Sequence, residues 1–156
     1  MTRLHYVKKA RNTYRGTGVK KGYSYYWWKF AYGKKQFSLT KPRRSQLTRS
    51  VFLGSMMDLE DRYNEIGGSP VEYKSELEEI KGEVDGIKGG IEESLSNMEA
   101  AFPNGCPTID QLLGRIAALE EISSQLEAAA DSIEIDEEDG EWDASGVSNQ
   151  VMWEYS

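Results

Sequence analysis

The chain has 156 residues, 38% of them apolar, with one cysteine and one histidine. That is enough for one modest domain, or for a small domain with a helical appendage, and a lone cysteine excludes an internal disulfide. Net charge is formally −7, yet residues 1–57 hold fourteen Lys and Arg and no Asp or Glu, leaving 19 − 14 = 5 basic residues among all 26 acidic ones in residues 58–156. Charge divided in this way points to a polyanionic partner for the basic part and argues for reading the two parts separately. No apolar run approaches the roughly 18 residues needed to cross a bilayer, and residues 1–10 lack the hydrophobic segment of a secretory leader, so the expected location is a cytosol.

Leu4 to Val7 can supply a first strand, followed by a basic, glycine-rich stretch that reads as loop. Its Gly16, Gly18 and Gly22 have the wrong spacing for a dinucleotide fingerprint, and no phosphate-binding loop motif occurs. Tyr25 to Tyr32 is dense in aromatics and Lys35 to Thr40 alternates polar and apolar, which predicts a β-hairpin with Gly33 supplying positive φ in a two-residue turn. That register would pair Tyr32 with Lys35, Phe30 with Phe37 and Trp28 with Leu39. Tyr26, Trp28, Phe30, Phe37 and Leu39 would then form a core face, opposite Tyr25, Trp27, Lys29, Gln36, Ser38 and Thr40. The second face, flanked by Lys34, Lys35, Lys41, Arg43 and Arg44, has the composition of a surface that grips phosphates and stacks bases. The candidate nucleic-acid-binding residues are therefore Tyr25, Trp27, Lys29, Lys34, Lys35, Lys41, Arg43 and Arg44. Packing of Tyr25 and Trp27 against the chain itself is the competing use of those two rings.

Beyond this module, residues 1–44, the spacing predicts three coiled-coil-like helices over residues 45–133. Phe52, Met56, Leu59, Tyr63 and Ile66 mark a helix over about 46–66. Ser69, Pro70 and Glu72 form a capping box opening a helix over 70–102, whose stripe runs from Tyr73 through Leu77, Ile80 and Val84 to Met98 and Phe102. Gly82, Gly86, Gly89 and Gly90 lie inside it, which predicts a kink near the last two or a strip for close backbone approach. After a turn at "FPNGCPT", Thr108 and Gln111 form a second capping box for a helix over 109–133, antiparallel to the one before it. Residues 134–156 read as an acidic tail, solvated except for aromatic islands; Trp142, Trp153 and Tyr155 are the candidate partner-binding residues. The fold class is thus α+β, with a basic β-hairpin or three-stranded sheet followed by antiparallel helices.

Catalytic chemistry is poorly served. His5 is the single histidine, Cys106 sits in a turn with no base near it in sequence, and the acids of residues 131–143 do not follow a calcium-loop pattern. No catalytic residue, metal ligand or cofactor is expected.

The stretch Gly18 to Thr48, "GVKKGYSYYWWKFAYGKKQFSLTKPRRSQLT", followed by "DLEDR", "ESLSNM" and "LLGRIAALEE", resembles a group of small coil-containing proteins of tailed bacteriophages and prophages. The similarity covers Tyr6 to Glu127, and its most specific parts are "YYWWKF" and "RRSQLT". It implies a phage origin and action in the cytoplasm of a bacterial host, and carries no activity with it. The hairpin by itself is similar to the arm-binding modules of phage integrases, although no recombinase catalytic residues follow. Two functions remain in view. One is an accessory protein that binds DNA or RNA through the hairpin, its helices joining copies of the chain. The other is a modulator of a host protein, working through the acidic helices and tail.

Overall fold

The computed structural model describes residues 2–133 and 144–155. The fold is α+β: strands β1 (Leu4–Val7), β2 (Tyr25–Lys29) and β3 (Lys35–Ser38), a 3₁₀ turn (Arg44–Leu47), then helices α1 (Val51–Asn64), α2 (Pro70–Ala101), α3 (Pro107–Asp131) and the short α4 (Ser145–Ser148). The chain forms two compact units, Met1–Asp58 and Leu59–Ser156, with the division falling inside α1.

In the first unit β2 is the central strand of an antiparallel sheet, paired with β1 (Leu4↔Trp28, Val7↔Tyr25) and with β3. The β3 register differs from the expected one: Lys29 pairs with Lys35, Trp28 with Gln36 and Trp27 with Phe37. The hairpin connection is therefore the five residues 30–34, and an odd shift sends each β3 side chain to the opposite face. Phe37 joins Trp27 and Tyr25, while Gln36 and Ser38 lie beside Trp28 and Tyr26. The cause lies in the turn. Gly33 does not take positive φ; Tyr32 does, at +60°, as third residue of a turn closed by the Gly33 amide donating to the Phe30 carbonyl at 3.1 Å.

The basic stretch between β1 and β2 is ordered by its own hydrogen bonds. The Tyr14–Val19 bridge turns through Gly16 and Gly18, both at φ +77°, and Ala10 exchanges backbone bonds with Tyr23 and Gly22 at 2.8 Å. This brings Ala10 and Val19 onto Tyr25, with Val7, Tyr14, Trp27 and Phe37 packed around them, a small aromatic core. The Tyr14 ring lies 5.0 Å from Phe37 and 5.7 Å from Tyr25.

The first predicted helix is broken at its start. The Ser50 amide donates to the Thr48 hydroxyl, and the Ser50 hydroxyl accepts the Leu53 amide at 3.2 Å, a cap that starts α1 at Val51 rather than near residue 46. At α2 the expected capping box is present: the Ser69 hydroxyl accepts the Glu72 amide and the Glu72 carboxylate accepts the Ser69 amide at 2.9 Å. The helix runs unbroken to Ala101 through all four glycines, around which a Cβ would meet open space. For α3 the cap position is Cys106, followed by Pro107, so the predicted Thr108–Gln111 box does not form.

In the second unit α2 and α3 are antiparallel partners. Asp85 faces Ser123 and Lys88 faces Glu120, so residue numbers across the seam add to a constant. Leu77, Ile80 and Val84 of α2 and Leu119, Ile122 and Leu126 of α3 are fully buried. Each such side chain contributes roughly 1.5–3 kcal/mol relative to exposure. Past Val84 the α2 stripe, at Ile87, Ile91, Leu95 and Met98, is only half-buried.

Candidate nucleic-acid interface

The cations predicted for the interface are presented at the surface of the first unit. Lys29, Lys34, Lys35, Lys41 and Arg43 are exposed and Arg44 is half-buried. Lys29 and Lys35 are direct cross-strand partners at the hairpin end of the ladder, where like charges repel and an anion between them would relieve the repulsion. Arg43 is fixed through its backbone, its amide donating to the Gln46 Oε1 at 2.9 Å at the start of the 3₁₀ turn. Among the described residues none of Lys29, Lys34, Lys35, Lys41 and Arg43 has a carboxylate within ion-pair distance. In contrast the ion pairs among the described residues gather on the helices, Arg62 alone holding Glu76, Glu79 and Glu83 at 2.6–2.8 Å.

The two rings expected to stack bases are already occupied. Tyr25 is 5% exposed and its hydroxyl, 3.5 Å from that of Tyr14, is pushed above its ordinary pKa by that hydrogen bond and by burial. It belongs to the core of the unit and offers no platform. Trp27 is half-buried, with the His5 imidazole stacked on it at 4.0 Å and 6° between planes. The Lys35 ammonium stands 4.4 Å from the centre of the same indole. His5 reaches Trp27 from β1 and Lys35 reaches it from β3, so the indole carries contacts from both neighbouring strands. Tyr25 is thus packed within the chain, the competing use of that ring, while Trp27 is half-buried beside the same core and bears His5 and Lys35 against its ring. Trp28 is also buried, its indole Nε1 without a hydrogen-bond partner.

The aromatic surface that remains lies elsewhere. Tyr32 is fully exposed at the hairpin tip, and a non-glycine residue at positive φ costs roughly 1–3 kcal/mol that no contact of its own ring offsets here. Beside it the Arg49 guanidinium lies 5.2 Å from the centre of the Phe30 ring. Gly33 makes room for it, since a Cβ there would stand 2.8 Å from the Arg49 Nη2. Phe30, Tyr32 and Arg49 line one cleft of about 370 Å³ together with Thr2, Ala31 and Thr48. On the opposite side of the sheet from Trp27, Tyr6 and Tyr26 pair with centroids 5.0 Å apart, and Tyr6 is 58% exposed. Sequence reasoning missed Tyr32 and Arg49 because it spent the glycine beside Tyr32 on the turn. The signal was an aromatic set at the centre of "AYG", where a turn needs no ring.

The predicted partner-binding aromatics are used by the chain itself. The Trp153 ring sits 5.6 Å from Tyr63, and the Tyr155 hydroxyl donates to Glu60 Oε2 at 2.6 Å. Val147 and Val151, just before them in sequence, are buried, and the Tyr63 hydroxyl donates to the Val147 carbonyl at 3.1 Å. Residues 144–155 are therefore docked on their own unit, not a solvated tail, because Val147, Val151 and Trp153 find a surface there. Trp142 lies outside the described residues.

Among the described residues no three His, Cys, Asp or Glu side chains converge as a metal site requires, and no helix is long and apolar enough to cross a membrane. Comparison with family models, with curated proteins and with solved structures finds no match to this chain.

Proposed function

We propose that this is a non-enzymatic, phage-derived accessory protein that binds nucleic acid through the first unit, acting in the cytoplasm of a bacterial host. The observation that carries the reading is the set of exposed cations, Lys29, Lys34, Lys35, Lys41 and Arg43, presented without carboxylate partners among the described residues. Cations left unneutralised by their own fold repel one another, and a phosphate backbone relieves that repulsion while releasing its condensed counterions. The phage origin rests on the resemblance of Tyr6 to Glu127 to coil-containing phage proteins. The alternative, a host-protein modulator working through the acidic helices and C-terminal aromatics, loses Trp153 and Tyr155, which are engaged on α1.

The test is binding of fluorescein-labelled DNA and RNA across a salt series. If five cations engage a duplex, the slope of log K against log salt should be about −4 to −5. Replacing Lys34 and Lys35 by Ala should flatten it by roughly two units. No binding at low ionic strength, or a slope near zero, overturns the proposal.

A further inference from the structure

We infer that the hairpin tip and the Arg49 cleft form a subsite for one unpaired nucleotide, so that the protein prefers single-stranded to duplex nucleic acid. This deepens the reading above and rests on it.

Three observations meet at one place. The Tyr32 ring is entirely in solvent on a backbone held at φ +60°, a conformation that glycine would adopt without strain. Nothing in the fold uses that ring, so its position serves what it can meet outside. Arg49 has no carboxylate partner among the described residues, yet it is not loose: its guanidinium lies over Phe30, in space that Gly33 leaves by having no side chain. Both groups face the same cleft.

The pairing of an aromatic face with a positioned guanidinium matches the two parts of a nucleotide. A flat ring stacks on a base whichever base it is, and the planar guanidinium takes a phosphate through two parallel hydrogen bonds. Paired bases in a duplex present their edges to the grooves and hide their faces in the stack. Tyr32 can therefore be used only where a base is unpaired. Trp27, half-buried with His5 and Lys35 already against its ring, is the less available platform.

The experiment compares a 12-nucleotide oligothymidine with a 12-base-pair hairpin duplex, both labelled, at one low salt concentration. The chain should bind the single strand more tightly. Tyr32→Ala should weaken single-strand binding about tenfold, and Tyr32→Phe should retain it, because the ring and not the hydroxyl stacks. Gly33→Ala leaves net charge unchanged and pushes Arg49 from its position; it should weaken single-strand binding severalfold. None of the three should alter duplex binding, which rests on the lysines. Tyr32→Gly, which relieves the backbone, should melt no lower than the parent and bind as weakly as Tyr32→Ala, separating loss of the ring from loss of fold. Binding of both nucleic acids by the parent chain with no loss in Tyr32→Ala overturns this inference and leaves the proposed function standing. Binding of neither overturns the proposed function, and the subsite with it.

Discussion

The His5 imidazole and the Trp27 indole lie parallel at 4.0 Å, and they are directly opposite one another on β1 and β2. With Lys35 contributed by β3, one indole ties all three strands together. Trp27 also closes the small core of Ala10, Val19 and Tyr25.

Trp27→Ala should accordingly lower the stability of the first unit by about 2–3 kcal/mol, less than a fully buried Trp because the ring is only half-covered. His5→Ala should cost about 1 kcal/mol. Thermal melting followed by near-ultraviolet circular dichroism measures both. A Trp27 variant that melts like the parent yet loses nucleic-acid binding would reverse the assignment of this ring to packing.

Arg62 is the strongest electrostatic joint within the second unit. Its Nε and Nη2 both donate to Glu76 Oε2, at 3.0 and 2.8 Å, Nη2 also to Glu79 and Nη1 to Glu83, each at 2.6 Å. The three glutamates occupy one stripe of α2, and their repulsion is left bare when the guanidinium is removed. Partial exposure and salt screening reduce each contact, so Arg62→Met should cost about 1–2 kcal/mol in total by urea denaturation. The loss should shrink in high salt. Arg62→Lys should recover less than half, because an ammonium cannot address three carboxylates in one plane.

How far the sequence foretold this arrangement depends on the range of the interaction involved. The Ser69–Glu72 box is local chemistry, three residues apart, and was legible as written; so were the apolar stripes that bring α2 to α3. The β3 register was not, because it depends on which residue of "FAYGK" takes positive φ, and a glycine in the run drew that role away from Tyr32, which adopts it. The cleft joins Tyr32 to Arg49, seventeen residues further on, a proximity that local pattern does not show. Tyr25 and Trp27 read equally well as platform or core until the loop carrying Ala10, Tyr14 and Val19 was seen to fold over them.

Asp85 makes the α2–α3 seam sensitive to acid. Burial pushes its carboxyl up, but hydrogen bonds from Ser123, at 2.7 Å, and Lys81, at 3.0 Å, with the charges of Lys81 and Lys88, outweigh this and hold it below its ordinary value. A carboxylate whose folded pKa is depressed gives its full stabilisation above the unfolded value, about 4, and loses it as pH falls through the folded value. Below about pH 4 the parent should therefore lose part of its margin over Asp85→Asn, and the two melting curves should converge. Ser123→Ala should reduce that acid sensitivity. It also leaves a carboxylate oxygen short of a donor at neutral pH, costing about 1 kcal/mol.

Tyr63 makes the docking of residues 144–155 sensitive to base. Its phenol is buried and donates to the Val147 carbonyl; burial first, then the neighbouring Tyr73, push its pKa up to about 12, against a smaller opposing effect from the backbone of Val151. A tyrosine raised in the folded state stabilises the fold fully below the unfolded value near 10, and the contribution disappears as pH rises through about 12, because the unfolded chain ionises first. The second unit should therefore lose up to about 2–3 kcal/mol between these limits. Tyr63→Phe should abolish that alkaline loss while costing about 1–2 kcal/mol at pH 7, where the Val147 carbonyl is left without its donor. Removing residues 144–156 should cost more than Tyr63→Phe, since it also strips Val147, Val151 and Trp153 from α1 and leaves Glu60 without Tyr155. The difference in tyrosinate absorbance at 295 nm between the parent and Tyr63→Phe reads this titration, since the parent signal sums nine tyrosines. A midpoint near 10 in the folded protein would show Tyr63 in water and the C-terminal residues undocked, and would return Trp153 and Tyr155 to the role of a partner-binding surface.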